Sequence, residues 1–263
     1  MESNVDLKGG LESARVTLVS EYRKQFAWRD WNRALSLCPL TPGQRVLDLG
    51  CGAGDVSGVL AARGLVVTGV DANEELLAAA QARYPQCRFE RQDLRRLEMP
   101  PGTFDGLWCS FAAAYFVDFP SVWSSWASLL KPTAWVCVID IDDLLAHQPL
   151  SAATEERIKS FYADALVQRR YDFNVGRKLH SALEALGFTV TQFELEDREL
   201  SFDGPAQDDV LEAWEQRFAR LGGLAQFLGA DFRDFQTEFM RCLSSPEHRS
   251  RCRVIGCVGT RAR

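Results

Sequence analysis

Between Arg45 and Ile139 the apolar positions fall into short β-branched runs, separated by stretches in which apolar residues recur at three- and four-residue steps. The runs Arg45 to Leu49, Leu65 to Val70, Cys87 to Arg91, Phe104 to Cys109 and Ala134 to Ile139 predict strands. The segments Gly54 to Arg63, Glu74 to Arg83 and Ser121 to Leu130 predict the helices between them, with Pro120 suited to the first turn of the last. Regular alternation of this kind marks βαβ units, and so predicts a doubly wound α/β fold on a mostly parallel sheet. Ahead of it the first forty residues read as helix, with Val16, Val19, Tyr22 and Phe26 and then Trp31, Ala34 and Leu35 on the apolar stripe, closed by the turn Thr41-Pro42-Gly43. Beyond Asp140 the alternation loosens into helices from Ala152 to Gln168 and Val175 to Leu186, a strand from Phe188 to Glu196, and a Phe-rich helical stretch from Gln207 to Leu243. A last strand runs from Cys252 to Thr260. Two strands bracketing a long helical insertion predict an antiparallel edge and bring the sheet to seven strands.

One junction carries chemistry. Val46-Leu47-Asp48-Leu49-Gly50-Cys51-Gly52-Ala53-Gly54-Asp55 runs from a strand through three alternate glycines into a helix. Glycine admits positive φ and removes the Cβ that would keep a ligand away from the backbone at the amino end of a helix. A dinucleotide fingerprint would need glycine at 55 or 57, where the chain has Asp55 and Ser57, so NAD is disfavoured. A phosphate loop would need a lysine, and none occurs from Gln44 to Leu130, which disfavours ATP and GTP. Asp48 would repel a pyrophosphate and attract an ammonium. A second acid, Asp71, ends the next strand, where a carboxylate can accept from both hydroxyls of a ribose.

These segments resemble the class I S-adenosylmethionine-dependent methyltransferases, in the small-molecule branch similar to the quinone-biosynthesis enzymes. The resemblance covers roughly Arg45 to Asp140 and rests on four ordered segments. It implies that Asp48, Gly50, Cys51 and Gly52 wrap the methionine end of S-adenosylmethionine, and that Asp71, with Ala72, binds the ribose. Asp93 in Phe89-Glu90-Arg91-Gln92-Asp93-Leu94 would accept from the adenine amino group while the Leu94 amide meets a ring nitrogen. Ser110 and Phe111, at the exit of the strand Phe104 to Cys109, would border the reactive methyl group. DNA amino-methylating relatives carry Asp or Asn followed by Pro-Pro-aromatic there, whereas this chain has Ser110-Phe111-Ala112-Ala113. The family's glycine pair before the fifth strand is replaced by Thr133-Ala134, a departure in turn geometry. The implied architecture is the Rossmann-like methyltransferase fold with helical cap additions, as one domain over 1–263. Its parts would be a helical cap at 1–40, a cofactor-binding core at 41–142, the rest of the core at 143–202 and 248–263, and a helical insertion at 203–247 covering the substrate side.

Composition narrows the partners. The formal net charge of −6 argues against phosphate-driven adhesion to nucleic acid or acidic lipid, and the basic run Arg249, Arg251, Arg253, Arg261 and Arg263 reads as a solvated strand edge. Eight cysteines contain no C-x-x-C pair, which leaves no zinc pattern and suits a reducing, cytoplasmic setting. Met1 to Gly10 is polar, unlike a signal peptide, and no apolar run is long enough to span a membrane.

A sulfonium methyl is already electrophilic, so the protein must mainly align an acceptor atom and exclude water. Where the acceptor must lose a proton, His147 after the fifth strand and Tyr115 are the candidate catalytic groups; His180 and His248 read as surface residues. Asp140 and Asp142 could bind a substrate hydroxyl or amine, but no convergent metal-ligand set is apparent. Tyr22, Phe26, Trp28 and Trp31, Tyr115 and Phe116, and the aromatic residues between Trp214 and Phe239 are candidates for the substrate roof, and Arg177 for a substrate anchor. Such walls would favour an apolar or aromatic metabolite, as expected in secondary metabolism. Methylation at oxygen or nitrogen is the leading reading; carbon methylation and a non-catalytic S-adenosylmethionine-binding regulator or assembly partner stay open.

Overall fold

The computed structural model describes residues 17–261. The expectations for Val16 and for the polar segment Met1 to Gly10 fall outside it, as does Arg263. Nine strands occur among the described residues: β1 (Arg45–Leu49), β2 (Val66–Asp71), β3 (Arg88–Arg91), β4 (Phe104–Ser110), β5 (Leu130–Asp142), β6 (His147–Gln148), β7 (Thr189–Glu194), β8 (Arg249–Ser250) and β9 (Arg253–Thr260). Seven of them form one sheet in the order β3-β2-β1-β4-β5-β9-β7. The first five are mutually parallel, and β9 runs antiparallel between β5 and β7, which gives the expected antiparallel edge. Strand order reverses at β1, whose neighbours are β2 and β4, so a crevice opens at its carboxyl end.

The helices are α1 (Leu18–Ala27), α2 (Trp31–Leu37), α3 (Asp55–Ala61), α4 (Glu74–Arg83), α5 (Phe119–Ala127), α6 (Ala152–Val167), α7 (Leu179–Glu184), α8 (Asp208–Arg220), α9 (Gly222–Leu228) and α10 (Phe232–Leu243). Several begin on a side-chain cap: Thr17 accepts from the Ser20 amide, Asn73 from Leu76, and Ser151 from Thr154. The first helical stretch is two helices rather than one, because Asp30 caps α2 by accepting from the Asn32 amide. The Phe-rich insertion is likewise three helices, α8 to α10, broken at Leu221 and Gly229.

Side chains alternate across the sheet with period two. Val46, Trp108, Trp135 and Cys137 join one core with Trp31, Leu35 and Phe193, while Leu47, Leu107, Val136 and Val138 join the other with Trp123, Trp126 and Leu183. Gly106 is required under this packing, since a Cβ there would lie 2.2 Å from the Trp135 indole. The segment expected as a turn before the fifth strand is instead part of β5, which bulges against β4 between Leu130 and Trp135. All eight cysteines are buried and free. No helix among the described residues is long and apolar enough to cross a membrane.

Candidate functional site

A cavity of about 850 Å³ opens over the carboxyl ends of β1, β2 and β4. Its floor is the glycine loop. Gly50, Gly52 and Gly54 all have positive φ, at 70°, 52° and 79°, and the Gly50 and Cys51 amides donate to the Val70 carbonyl at 2.8 and 3.0 Å. A Cβ on Gly50 would sit 2.7 Å from that of Ala112, and one on Gly52 would reach within 3.1 Å of the Tyr22 ring across the cavity. The loop is thus a close-approach surface that only glycine can form.

Asp71 fastens this loop to the second strand. One carboxylate oxygen accepts from the Gly52 amide at 2.9 Å and the other from the Asn73 amide at 2.9 Å. A carboxylate has about four lone-pair sites, so acceptor capacity remains on both oxygens for a ligand's hydroxyls. Helix capping, the competing use of an acid at this position, is carried out by Asn73. Further along, Asp93 commits one oxygen to the Arg95 amide at 2.9 Å, and the Leu94 carbonyl receives Trp126 Nε1 at 2.7 Å. The second oxygen of Asp93 and the Leu94 amide make no hydrogen bond among the described residues, leaving one acceptor and one donor side by side at the rim.

At the exit of β4, Phe111 adopts φ 57° while its amide donates to the Ile139 carbonyl at 2.8 Å. A left-handed aromatic residue costs roughly 1 kcal/mol or more. That conformation sets its ring edge-on to Trp31, with centroids 6.3 Å apart, and 4.0 Å beneath the Arg29 guanidinium. The wall and roof come from the helical additions: Glu21, Tyr22, Phe26 and Arg29 around α1, Tyr115 and Tyr171 packed edge to face at 5.0 Å, Phe161 and Phe173, and Arg217, Arg220 and Leu224 from α8 and α9. Partial burial, reinforced by Tyr115, Asp71 and Glu21, pushes the Tyr22 hydroxyl up to about 12.

Of the residues predicted to meet a cofactor, Gly50, Cys51, Gly52, Asp71, Ala72, Asp93, Leu94, Ser110 and Phe111 all line this one cavity. Asp48 does not. It lies beneath the loop, 1% exposed, accepting from the Ser57 hydroxyl at 2.6 Å, and burial without a cation raises its carboxyl to about 7. Tyr22, Trp31 and Tyr115 line the cavity as expected of substrate-side residues, together with Phe26 and Phe116. Trp28 turns outward between Lys24 and Arg198, and Arg177 is spent on Asp142 at 2.7 Å. Asp140 is buried under the roof, accepting from the Ala114 and Ile141 amides at 3.0 and 2.8 Å, and burial raises it to about 7.

His147 is a correction too. It is 1% exposed in β6, enclosed by Phe202, Trp214 and Phe239, and its Nδ1 meets Nε2 of His248 at 2.9 Å. Burial drives its pKa down to about 3, and it lines no part of the cavity. His248, expected at the surface, is equally buried because β6 and β8 pair across the two segments. The aromatic residues of the insertion, Trp214, Phe218, Phe235 and Phe239, are core; its cavity-facing members are Arg217, Arg220, Leu221, Gly223 and Leu224. Sequence reasoning passed over these, together with Arg29 and Arg170, because it weighed aromatic spacing and not the basic positions beside it.

Residues 46–133 match a family model described as a methyltransferase domain. This segment is similar to a methyltransferase domain. Over 106 residues the chain is 36% identical to the ubiquinone biosynthesis O-methyltransferase of Albidiferax ferrireducens, an alignment that covers 38% of this chain and 42% of that one. The chain therefore spans about two fifths of the curated relatives it first matches. The fold extends further than that similarity. The YcgJ protein of Bacillus subtilis superposes with a TM-score of 0.57 at 17% identity, covering 88% of this chain and 99% of that one. A Haemonchus contortus phosphoethanolamine N-methyltransferase, solved with phosphomonomethylethanolamine and S-adenosylhomocysteine, gives a TM-score of 0.57 at 19% identity, over 93% of this chain and 57% of that one. Within the matched segment lie the glycine loop, Asp71, Asp93 and Phe111, so it supplies the cavity floor, and the helical additions outside it supply most of the roof.

Proposed function

We propose that this protein is an S-adenosylmethionine-dependent methyltransferase that acts on an oxygen or nitrogen of an apolar or aromatic small molecule. The observation that carries the reading is the hydrogen bond from the Gly52 amide to Asp71, which joins a close-approach glycine loop to a carboxylate with spare acceptor capacity inside one cavity. The residues fit the nucleoside. Asp71 suits the ribose diol, and the free acceptor of Asp93 beside the free amide of Leu94 matches the donor and acceptor edge of adenine. A carboxylate facing the loop also disfavours a pyrophosphate there, consistent with the missing NAD and ATP motifs.

When bound, the cofactor would supply an activated methyl group on a sulfonium, so the protein's part is alignment and exclusion of water. Phe111 and Trp31 present aromatic faces at the β4 exit, where they would shelter the transfer from solvent and favour a flat or apolar acceptor. Among the described residues no histidine or lysine lines the cavity. With its proton held up to about 12, Tyr22 would orient an acceptor as a hydrogen-bond donor and not act as a base at neutral pH. Tyr115, at the cavity wall, has its hydroxyl pushed up as well, by burial and by Asp140, so it too would act as a hydrogen-bond donor and not as a base at neutral pH. In this reading residues 41–142 would hold the cofactor and residues 203–247 would contribute to the substrate side.

Incubating the full chain with methyl-labelled S-adenosylmethionine and a panel of phenols, amines and activated carbon acids tests this. Label transfer to an oxygen or nitrogen acceptor is the expected result. Transfer only to carbon would move the reaction class, and cofactor binding without turnover on any acceptor would favour a binding protein that kept the fold.

A further inference from the structure

We propose that the acceptor is an organic anion, an apolar or aromatic body carrying a carboxylate, and that Arg217 seats that carboxylate. This deepens, and rests on, the methyltransferase reading above. Besides Arg95, which pairs with Asp93, four arginines from outside the matched segment, Arg29, Arg170, Arg217 and Arg220, line the cavity. Each is held by an acid: Arg29 by Asp197 at 2.7 Å, Arg217 by Glu199 at 2.6 Å, Arg170 by Asp164 and Arg220 by Glu21. Of those four acids only Glu21 itself lines the cavity.

Arg217 is the most telling of the four. Its side chain is 15% exposed, and both Nε and Nη2 donate to a single oxygen of Glu199, which leaves Nη1 without a hydrogen bond among the described residues. Its guanidinium stands 5.4 Å from the Trp214 ring centroid, and Arg217 lines the same cavity as Tyr115 and Tyr171, whose hydroxyls its charge partly offsets against burial. A largely buried guanidinium with unspent donors facing an open volume is costly unless a ligand completes it. A carboxylate matches its planar fork, and Arg170 and Arg220 nearby would draw in the same charge. A carboxylate paired in this way is a weak nucleophile, so it serves as an anchor and the methyl group goes to another atom of the acceptor.

A second source of the same chemistry exists, the amino-acid carboxylate of the cofactor, for which Arg29 over Phe111 is the nearer cation. The experiment separates the two. Calorimetry with S-adenosylhomocysteine on the full chain comes first, followed, at saturating S-adenosylhomocysteine, by trans-cinnamate and 2-naphthoate against their amides. The acids are expected to bind at least tenfold more tightly than the amides, and Arg217→Met should erase that preference while leaving the S-adenosylhomocysteine Kd within twofold. Should Arg217→Met fail to fold because Glu199 is left buried and unpaired, Arg217→Met with Glu199→Gln replaces it, and the acid-to-amide ratio of the unaltered protein needs no variant. Equal affinity for acid and amide, no binding of either, or a preference that survives the substitution overturns the proposal. So does a loss confined to S-adenosylhomocysteine in the variant, which would assign Arg217 to the cofactor. Failure of the unaltered protein to bind S-adenosylhomocysteine at all defeats the parent reading, a result distinct from these.

Discussion

Replacing Asp71 with alanine tests the keystone of the cavity floor. The carboxylate makes two hydrogen bonds of 2.9 Å, to the Gly52 and Asn73 amides, and in the proposed complex it would add the ribose hydroxyls. Hydrogen bonds to a charged acceptor contribute about 1.5–3 kcal/mol each, and some of what is lost at the amides is recovered by water in an open cavity. The expected net effect on binding is therefore roughly 1–3 kcal/mol, a rise in Kd of about 5- to 150-fold. Asp71→Asn keeps an acceptor for one amide but loses the charge and turns its NH2 towards the other, so it should fall between wild type and alanine. Isothermal titration with S-adenosylhomocysteine reads both, and circular dichroism checks that each variant is folded. A folded Asp71→Ala protein with unchanged affinity would refute the reasoning, because among the described residues no other carboxylate bridges the loop and the second strand.

Gly52→Val should abolish cofactor binding, since φ is 52° and the new side chain would begin 3.1 Å from the Tyr22 ring; calorimetry showing normal affinity in the folded variant would contradict it. His147→Leu should change acid stability and leave S-adenosylhomocysteine affinity alone. The histidine is held neutral down to about pH 3, so the fold loses stability from this group as pH falls from about 6.5 towards 3, and urea midpoints across that range should decline less steeply in the variant. Asp48→Asn should act in the opposite direction of pH. Its carboxyl is raised to about 7, so the stability it confers is full below about pH 4 and is lost as pH rises through 7. The melting temperature of Asp48→Asn relative to wild type should therefore be higher at pH 8 than at pH 5.5, and a constant difference would count against a buried, strained carboxylate.

The sheet was legible because each buried strand carries a continuous apolar run, and the site floor because three glycines and the acids after them stand in a fixed order along it. Asp48 was misread although its signal was present. Leu47 and Leu49 point to one face of β1, so the residue between them must point to the other, where Ser57 at the start of α3 receives it. His147 had no such local signal. Its burial depends on the two-residue ladder between β6 and β8, which brings His248, just before β8 and 101 positions away, against its ring, and nothing near either histidine announces the pairing. Trp28 and Arg177 fall into the same class, since Lys24, Arg198 and Asp142 decide which way they turn.

The roof was the least legible part for a physical reason that also bears on specificity. Helical periodicity reports which face of a helix is buried, but not which residues at the margin of that face meet a cavity instead of solvent. On α8, Trp214 and Phe218 occupy the centre of the apolar stripe and vanish into the core, while Arg217 and Arg220 sit beside it and line the cavity. Arg220 is held there by an acid remote in sequence, Glu21, 199 residues away, as the roof's Arg29 is by Asp197, 168 residues away, whereas Arg217 pairs with Glu199 only 18 residues before it. The pairs Arg220–Glu21 and Arg29–Asp197 cross from the amino-terminal segment to the later ones, so this part of the roof is assembled only in the folded chain. A change in the Arg220–Glu21 pair would alter the roof of the cavity while the glycine loop and Asp71, joined by the Gly50 and Cys51 amides to Val70 and the Gly52 amide to Asp71, keep their geometry. Cofactor affinity and acceptor selectivity should accordingly respond to different sets of substitutions.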